Sequence, residues 1–256
     1  MKAEGRRQKA EGSVLVCFAL KTEAAPFRKI AAGGLRRSYH VSILLTGIGR
    51  QNAEKSVREF LLNWGARASG AHRQASRLPE NARIETIHAA PETGALPELV
   101  FTCGFAGGLN PDLKLGDVVF EVQSPESKVQ SQLLAAGAKP AKFFSADRIA
   151  ITAAEKKRLR EETGADAVEM ESEAIHAVCR EHRISCATVR VISDTAGEDL
   201  PLDFNALSKP DKSLDYGKLF LAVAKSPGKI GALRQLQKQT KFAAAQLAKV
   251  LAEIVW

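Results

Sequence analysis

Short apolar runs alternate with stretches of helical periodicity along most of the chain. The apolar runs are rich in β-branched residues, which is typical of buried strands. They predict strands at 13–20, 41–49, 113–122, 141–145, 164–170 and 184–194, and a strand followed by a Gly-rich turn at 99–109. The periodic stretches predict helices at 51–64, 127–136, 152–163 and 171–182. This alternation indicates an α/β fold with a mostly parallel or mixed sheet.

The clearest helix boundaries enclose residues 152–163. Thr152 is a good N-cap, Glu155 follows it at the capping-box spacing, and Gly164 suits the end of the helix. Residues 65–83, in contrast, are polar and have no clear period. They predict an irregular insertion, which we bound at 65–97.

The charge of the chain is concentrated at its ends. The 256 residues carry a formal net charge of +8, which invites a nucleic-acid or membrane interpretation. Residues 13–206, however, hold 24 basic and 24 acidic side chains and are neutral, whereas residues 207–256 carry +6. We therefore predict a disordered basic N-terminus at 1–12, one catalytic domain at 13–206 and a basic helical extension at 207–256.

The extension is amphipathic over residues 229–256. Its apolar residues fall near one helical stripe, formed by Ile230, Leu233, Leu236, Ala243, Leu247, Val250, Leu251 and Ile254. Basic residues lie largely outside that stripe, at Arg234, Lys238, Lys241 and Lys249. We expect the stripe to pack on the body of the protein or on a second subunit. The alternative is peripheral contact with an anionic membrane surface.

Several classes of protein are disfavoured by composition. No run of about 18 apolar residues exists, so a membrane-spanning helix is not expected. The first 12 residues lack the apolar core of a signal peptide, and we predict a cytoplasmic protein. Aromatic residues make up 6% of the chain and form no stacking platform, which argues against nucleic acid as a partner.

Metal and redox chemistry have little support. The four cysteines contain no C-x-x-C pair, and the five histidines have no metal-ligand spacing. We predict buried reduced thiols, no metal site and no cofactor.

Two Gly-rich segments follow apolar runs. TGIG at 46–49 opens a helix, whose N-terminus is suited to anions, but Ala53 replaces the last glycine of a dinucleotide fingerprint. CGFAGG at 103–108 would let backbone amides approach a ligand closely. The alternative for both segments is tight packing without a ligand.

Acidic residues follow three of the strands. Glu23, Glu171 and Asp194 occupy these positions, where ligands of α/β sheets bind. An acid there also serves as a helix cap. Three carboxylates around one cleft, however, suit cleavage of a glycosidic bond, with one acid for the leaving group, one base for the nucleophile and one group that binds sugar hydroxyls.

Five motifs appear in the order of the nucleoside phosphorylase and nucleosidase superfamily. They are FALKTE (18–23), TGIGRQNA (46–53), CGFAGGLNPDLKLGDVV (103–119), AVEMESEAI (167–175) and VRVISDTAG (189–197). The chain most resembles the 5′-methylthioadenosine/S-adenosylhomocysteine nucleosidases over residues 13–206. Residues 145–172 are similar to the hopanoid-associated phosphorylases, and the basic extension resembles theirs more loosely. The resemblance implies a three-layer-like domain with a central mixed, partly closed sheet flanked by helices, usually in a homo-oligomer.

The resemblance also implies roles for individual residues. Asp194 aligns with the acid that protonates purine N7, Glu23 with the carboxylate that deprotonates the attacking water, and Glu171 with the ribose-binding carboxylate. The remaining substrate-binding positions are Met170 under the sugar, Phe105, Ala106 and Gly107 in the Gly-rich segment, Ile149 and Ala150 at the base, and Ala196 as a backbone contact to the base.

The chain departs from the nucleosidase branch at several points. Phe105 replaces a small hydroxyl residue, and Ile149 replaces a stacking aromatic. The segment between Asp117 and Asp147 is shorter, and the insertion at 65–97 is longer. The reaction class is therefore expected to hold, while the base and the 5′ substituent stay open.

The nucleophile is either water or phosphate. Gly49, Arg50 and Arg148 are the candidates for holding phosphate, which would then be the co-substrate of a phosphorylase. Glu23 favours water, since a carboxylate repels phosphate. We therefore predict a nucleosidase, with a phosphorylase and a catalytically inactive nucleoside-binding protein as alternatives.

Overall fold

A computed structural model describes residues 12–32, 39–68, 83–86, 96–122, 128–213, 215–225 and 227–255. The predicted N-terminus at 1–12, except Gly12, and most of the insertion at 65–97 lie outside the described residues. The strands are β1 Gly12–Phe18, β2 Tyr39–Leu45, β3 Arg83–Thr86, β4 Leu99–Gly108, β5 Val118–Val122, β6 Lys139–Pro140, β7 Phe143–Ser145, β8 Ala167–Glu169 and β9 Ser185–Asp194. The helices are α1 Lys21–Ala32, α2 Arg50–Ala68, α3 Lys128–Ala135, α4 Ala153–Thr163, α5 Ser172–Glu181, α6 Tyr216–Lys225 and α7 Ile230–Val255, with a 3₁₀ turn at Pro227–Lys229.

The nine strands form one mixed sheet flanked by helices. Its main order is β3-β2-β1-β4-β9-β5-β6, and β8 and β7 branch from β4. The central neighbours β2, β1, β4 and β9 are parallel, while β3, β5 and β8 run antiparallel to their partners in that group. The predicted α/β class with a mixed central sheet is confirmed.

Strand β4 changes partner along one of its edges. Its first half pairs with β1 as far as Cys103, and its end pairs with β8 at Gly107 and Gly108. Within the described strands, residues 104–106 have no ladder partner on that edge. The opposite edge is paired with β9 throughout, with an irregularity between Ala106 and Gly107. This change of partner along β4 leaves a gap in the sheet between the ends of β1 and β8.

The Gly-rich turn predicted at the end of 99–109 is wrong, because β4 continues to Gly108. The glycines instead allow side chains from other elements to come close to the β4 backbone. A Cβ at Gly104, whose φ is +148°, would lie 2.8 Å from both the Glu23 carboxylate and the Arg190 guanidinium. A Cβ at Gly107 would lie 3.3 Å from the Asp194 carboxylate. These glycines let charged side chains contact the strand backbone.

Helix α1 and strands β3 and β6 were not anticipated from the sequence. Helix α1 contains Pro26, which interrupts the helical signal, but Phe27 and other apolar residues on one face are buried. Strand β3 lies within the predicted irregular insertion and pairs with β2. Helix α6 lies within the predicted extension. The predicted cap of α4 is present, because Thr152 accepts a hydrogen bond from the Glu155 N–H and Gly164 adopts the left-handed conformation.

The second half of α7 is part of the main core. Its buried residues include Ala243, Leu247 and Leu251, and the helix packs against α1, β9 and β4. The predicted apolar stripe therefore faces the body of the protein over this half. Among the described helices, none is long and apolar enough to cross a bilayer.

We expect truncation of the α7 core to destabilise the whole domain. Leu251 is fully buried, and Leu251→Ala should cost about 2–5 kcal/mol of unfolding free energy. The matched control on the same helix is Ile230→Ala, where the side chain is 39% exposed and the change should stay near 0.5 kcal/mol. Urea denaturation measures both. Equal, small effects would contradict the assignment of α7 to the core.

Candidate active site

The gap in the sheet opens into a cavity of about 160 Å³ between β1, β4 and β8. Most of the predicted site residues line it, namely Glu23, Phe105, Ala106, Gly107, Arg148, Ile149, Ala150, Met170 and Glu171. Four others do not line it, namely Gly49, Arg50, Asp194 and Ala196. Asp194 nevertheless lies beside it, because its neighbour Ser193 and the adjacent Gly107 are both lining residues.

Glu23 lies in the first turn of α1 and lines the cavity at the gap in the sheet between β1 and β8. It is 3% exposed, and its carboxylate accepts hydrogen bonds from the N–H groups of Leu20 at 2.8 Å and Phe105 at 2.9 Å. The Phe105 N–H lies in the part of β4 without a ladder partner on that edge, so Glu23 takes the place of a neighbouring strand. Desolvation, reinforced by the charge of Glu171, raises the pKa of Glu23 to about 7.

Glu171 joins the Gly-x-Gly turn to the end of β8. Its Oε1 atom accepts a hydrogen bond from the N–H of Gly49 at 2.8 Å. Gly47 and Gly49 have φ values of +81° and +89°, a conformation that favours glycine. The turn ahead of α2, which was expected to suit an external anion, thus holds a carboxylate of the chain itself.

Arg190 lies beneath the cavity on β9 and binds both acids of the E-M-E motif. Its guanidinium is 2.6 Å from Glu169 and 3.2 Å from Glu171, and the side chain is 1% exposed. It also donates to the hydroxyls of Thr102 at 3.1 Å and Ser172 at 3.0 Å. Burial raises the pKa of Glu171, although the Arg190 charge opposes that shift. The sequence interpretation assigned no role to Arg190 or Glu169, but an arginine between valines in a buried strand was an available signal.

Asp194 ends β9 with both carboxylate oxygens occupied. Ser193 Oγ donates to Oδ1 at 2.7 Å, and the ammonium of Lys156 lies 2.6 Å from Oδ2. Lys156 is fully buried and also donates to the carbonyls of Thr195 and Glu198, each at 2.8 Å. Lys156 was missed because it belongs to the charged run EKKRLREE, where nothing distinguishes it from its exposed neighbours.

The two candidate phosphate arginines have carboxylate partners. Arg50 pairs with Glu173 at 2.7 Å and with Asp147 at 3.7 Å, in a second cavity next to the first. Arg148 lines the first cavity and pairs with Glu155. Each arginine is therefore compensated by the chain itself.

The predicted base-binding segment is held by a residue that was not anticipated. Asn205 accepts a hydrogen bond from the Ile149 N–H and donates one to the Ile149 carbonyl, both at 2.9 Å. The Ile149 side chain remains available to the cavity, whereas its backbone is occupied. Ala196 lies behind β4, with its N–H 3.5 Å from the position of a Cβ on Gly108. Within the described residues, no group of three or more His, Cys, Asp or Glu side chains could hold a metal ion.

The raised pKa of Glu23 should make stability depend on pH. A carboxyl whose folded pKa exceeds its ordinary value of 4.5 contributes stability that is complete below 4.5 and is lost as pH rises through about 7. The wild type should therefore lose about 3 kcal/mol relative to Glu23→Gln between pH 4.5 and 8. Urea unfolding of both proteins at each pH measures this difference. The exposed Glu161→Gln is the control and should track the wild type; a Glu23→Gln difference that does not change with pH would contradict the prediction.

The chain is similar to known proteins in sequence and in structure. The model of the phosphorylase superfamily matches residues 139–222. An aminodeoxyfutalosine nucleosidase of Campylobacter jejuni is 31% identical over 107 residues, which are 40% of this chain and 43% of that protein. The match thus spans less than half the length of this curated relative.

Solved structures match over nearly the whole chain. Futalosine hydrolase of Helicobacter pylori has a TM-score of 0.61 at 17% identity, covering 96% of this chain and 97% of that one. The 5′-methylthioadenosine/S-adenosylhomocysteine nucleosidase of Neisseria meningitidis, in complex with methylthio-immucillin-A, has a TM-score of 0.60 at 20% identity, covering 95% and 98%. These likenesses confirm the expected fold. Residues 139–222 are thus similar in sequence to the phosphorylase superfamily, and the fold is shared over nearly the whole chain.

Proposed function

We propose that the protein hydrolyses the N-glycosidic bond of a purine nucleoside or 5′-modified adenosine and releases the base. The observation that carries this proposal is the convergence of acids at one cavity: Glu23 and Glu171 line it, and Asp194 lies at its edge beside Gly107. Glycosidic cleavage needs a base, a group that stabilises the sugar cation and an acid. The relatives named above are nucleosidases or hydrolases, which supports the same reaction class.

Glu23 is the proposed base for the attacking water. Its pKa of about 7 makes it ionised at slightly alkaline pH and yet basic enough to accept a proton, which is the range a general base requires. Its two backbone hydrogen bonds fix the carboxylate at the cavity. As water attacks C1′, its proton passes to Glu23.

Glu171 is the proposed ribose clamp, with Met170 as the apolar contact under the sugar. The Gly49 N–H and Arg190 fix the position of the Glu171 carboxylate. Its negative charge is attracted to the sugar as the C1′–N9 bond breaks and the ring becomes cationic. The electron pair of that bond moves into the purine.

Asp194 is the proposed leaving-group acid, and Lys156 supplies its proton. Ser193 Oγ donates to one oxygen of Asp194, and the Lys156 ammonium contacts the other. A proton moves from Lys156 Nζ to Asp194, and the carboxylic acid so formed gives its proton to purine N7. The lysine is reprotonated from water after the base departs.

Water is the favoured nucleophile. The Gly49 N–H is occupied by Glu171, and Arg50 and Arg148 both face carboxylates. Phosphate would have to displace these partners and approach the anionic Glu23. Phosphorolysis remains the second candidate because Arg148 lines the cavity.

The 5′ substituent is proposed to extend into the second cavity. This cavity measures about 480 Å³ and shares Ile48 with the first, and Arg50, Asp147, Asp211 and Lys212 are among its lining residues. Both signs of charge are present, which suits a polar substituent. 5′-Methylthioadenosine, S-adenosylhomocysteine and aminodeoxyfutalosine therefore form the first substrate panel.

We expect base release from at least one member of the panel, and the free 5′-substituted ribose rather than its 1-phosphate as the sugar product with or without phosphate. Asp194→Asn and Glu23→Gln should each lower kcat/KM by about 10²–10⁴-fold. The wild-type kcat/KM should rise with pH through about 7 as Glu23 ionises. Chromatography of bases and sugars measures these outcomes.

Three results would contradict the proposal. Strict dependence on phosphate, lost in Arg148→Ala, would indicate the phosphorylase. Tight binding of the panel without base release would indicate a nucleoside-binding protein. Full activity of Asp194→Asn would show that the assigned acid is wrong.

The role of Lys156 predicts a dependence on the leaving group. Lys156→Met should slow purine release by about 10²-fold. It should have much less effect on p-nitrophenyl riboside, whose leaving group departs without protonation. Asp194→Asn should show the same split, whereas Glu23→Gln should slow both reactions.

The matched control is Lys157→Met, the exposed neighbour on α4, which should leave both rates unchanged. A merely structural role for Lys156 would slow both substrates equally, and that outcome would contradict the proton-supply proposal.

A further inference from the structure

Helix α6 presents apolar side chains to solvent. Seven of its ten residues are apolar, yet none of the side chains that the structure describes in it is buried. Tyr216 is 76% exposed and Leu221 is 53% exposed. Helices in globular proteins ordinarily bury such a face, and exposed apolar clusters mark interaction sites.

The segment that contains α6 is also strongly basic. Residues 216–252 hold seven Lys and Arg and no Asp or Glu. Lys229 just before α7 is exposed, as are Arg234, Lys238 and Lys241 in its first half, where no described side chain is buried. The basic side chains thus face outward beside the apolar α6.

We propose that residues 216–242, the basic helical segment, bind the surface of an anionic lipid bilayer. A bilayer interface takes up exposed apolar and aromatic side chains, and anionic headgroups attract Lys and Arg within a Debye length. The segment offers both features on neighbouring helices. It lies on the membrane rather than crossing it.

Charge distinguishes this occupant from the alternatives. A second copy bound through the same surface would bring like charges together, which opposes association. Nucleic acid would satisfy the lysines but would leave Tyr216 and Leu221 uncovered. An anionic bilayer satisfies both.

The basic helical segment also adjoins the candidate active site. Gln239 on α7 donates to Glu198 at 3.3 Å, and Glu198 follows Asp194 in the loop that receives Lys156. A cavity of about 190 Å³ is lined by Asp194, Glu198 and Leu236, among others. Membrane binding would therefore bring the loop after Asp194 close to the lipid surface.

Co-sedimentation of the full chain with vesicles tests the proposal. We expect binding to vesicles of phosphatidylcholine mixed with phosphatidylglycerol, little binding to phosphatidylcholine alone, and release at about 1 M salt. Lys238→Gln/Lys241→Gln should weaken binding by about tenfold or more. Leu221→Gln should weaken it further without changing the charge.

The matched control is Lys157→Gln/Arg158→Gln, which removes two exposed charges from α4 and should bind like the wild type. Thermal unfolding confirms that each variant is folded. An equal loss in the control would show non-specific charge attraction and overturn the proposal. So would a dimer seen by light scattering that Leu221→Gln abolishes while vesicles are not bound. Binding of single-stranded DNA but not of vesicles would overturn it as well.

Discussion

The candidate site depends on a single buried guanidinium. Arg190 is 1% exposed and holds Glu169 at 2.6 Å and Glu171 at 3.2 Å in the interior of the sheet. Taking carboxylates out of water is costly unless a partner compensates them. One arginine faces two acids here, and Glu23 is a third acid close by. The three acids Glu23, Glu169 and Glu171 therefore outnumber the one buried arginine beside them.

Glu23 is the acid of this cluster that lacks a positively charged partner among the described residues. Its carboxylate has backbone N–H partners but no cation within ion-pair distance among the described residues. Burial and the charge of Glu171 consequently raise its pKa to about 7. This charge distribution agrees with the proposed roles, in which Arg190 holds the Glu171 carboxylate that binds ribose and Glu23 exchanges a proton with water.

The sheet creates the space in which these acids meet. Strand β4 leaves β1 after Cys103 and joins β8 at Gly107, so the backbone between them has a free edge. Glu23 binds that edge at Phe105, and Gly104 admits both Glu23 and Arg190 because it has no Cβ. The constraint is steric as well as electrostatic, since the charged groups can gather only where the strand carries small residues.

Sequence periodicity predicted most strands and helices because apolar residues mark the buried faces directly. The positions of Glu23, Glu171 and Asp194 could also be predicted from the sequence, since each follows a strand in a recognisable motif. The residues that bind these acids were harder to predict. Arg190 stands out within an apolar strand, but Lys156 is one cation in a run of charges, and only the fold reveals that it alone turns inward to Asp194. Helix α1 was missed because Pro26 masks a pattern that tertiary burial of Phe27 restores.

The choice of cation at each acid separates two kinds of task. Arginine retains its charge in proteins, so Arg190 can position Glu169 and Glu171 but cannot supply a proton to them. A lysine ammonium carries a transferable proton, and Lys156 is fully buried with Asp194 as its only carboxylate within ion-pair distance among the described residues. In the proposed mechanism, the carboxylate assigned to ribose therefore has a partner that keeps its proton, while the acid assigned to the leaving group has a partner that can give one up. Cleavage uses this difference, because a proton passed to Glu171 would neutralise the carboxylate that stabilises the cationic sugar, whereas a proton passed to Asp194 goes on to the departing base.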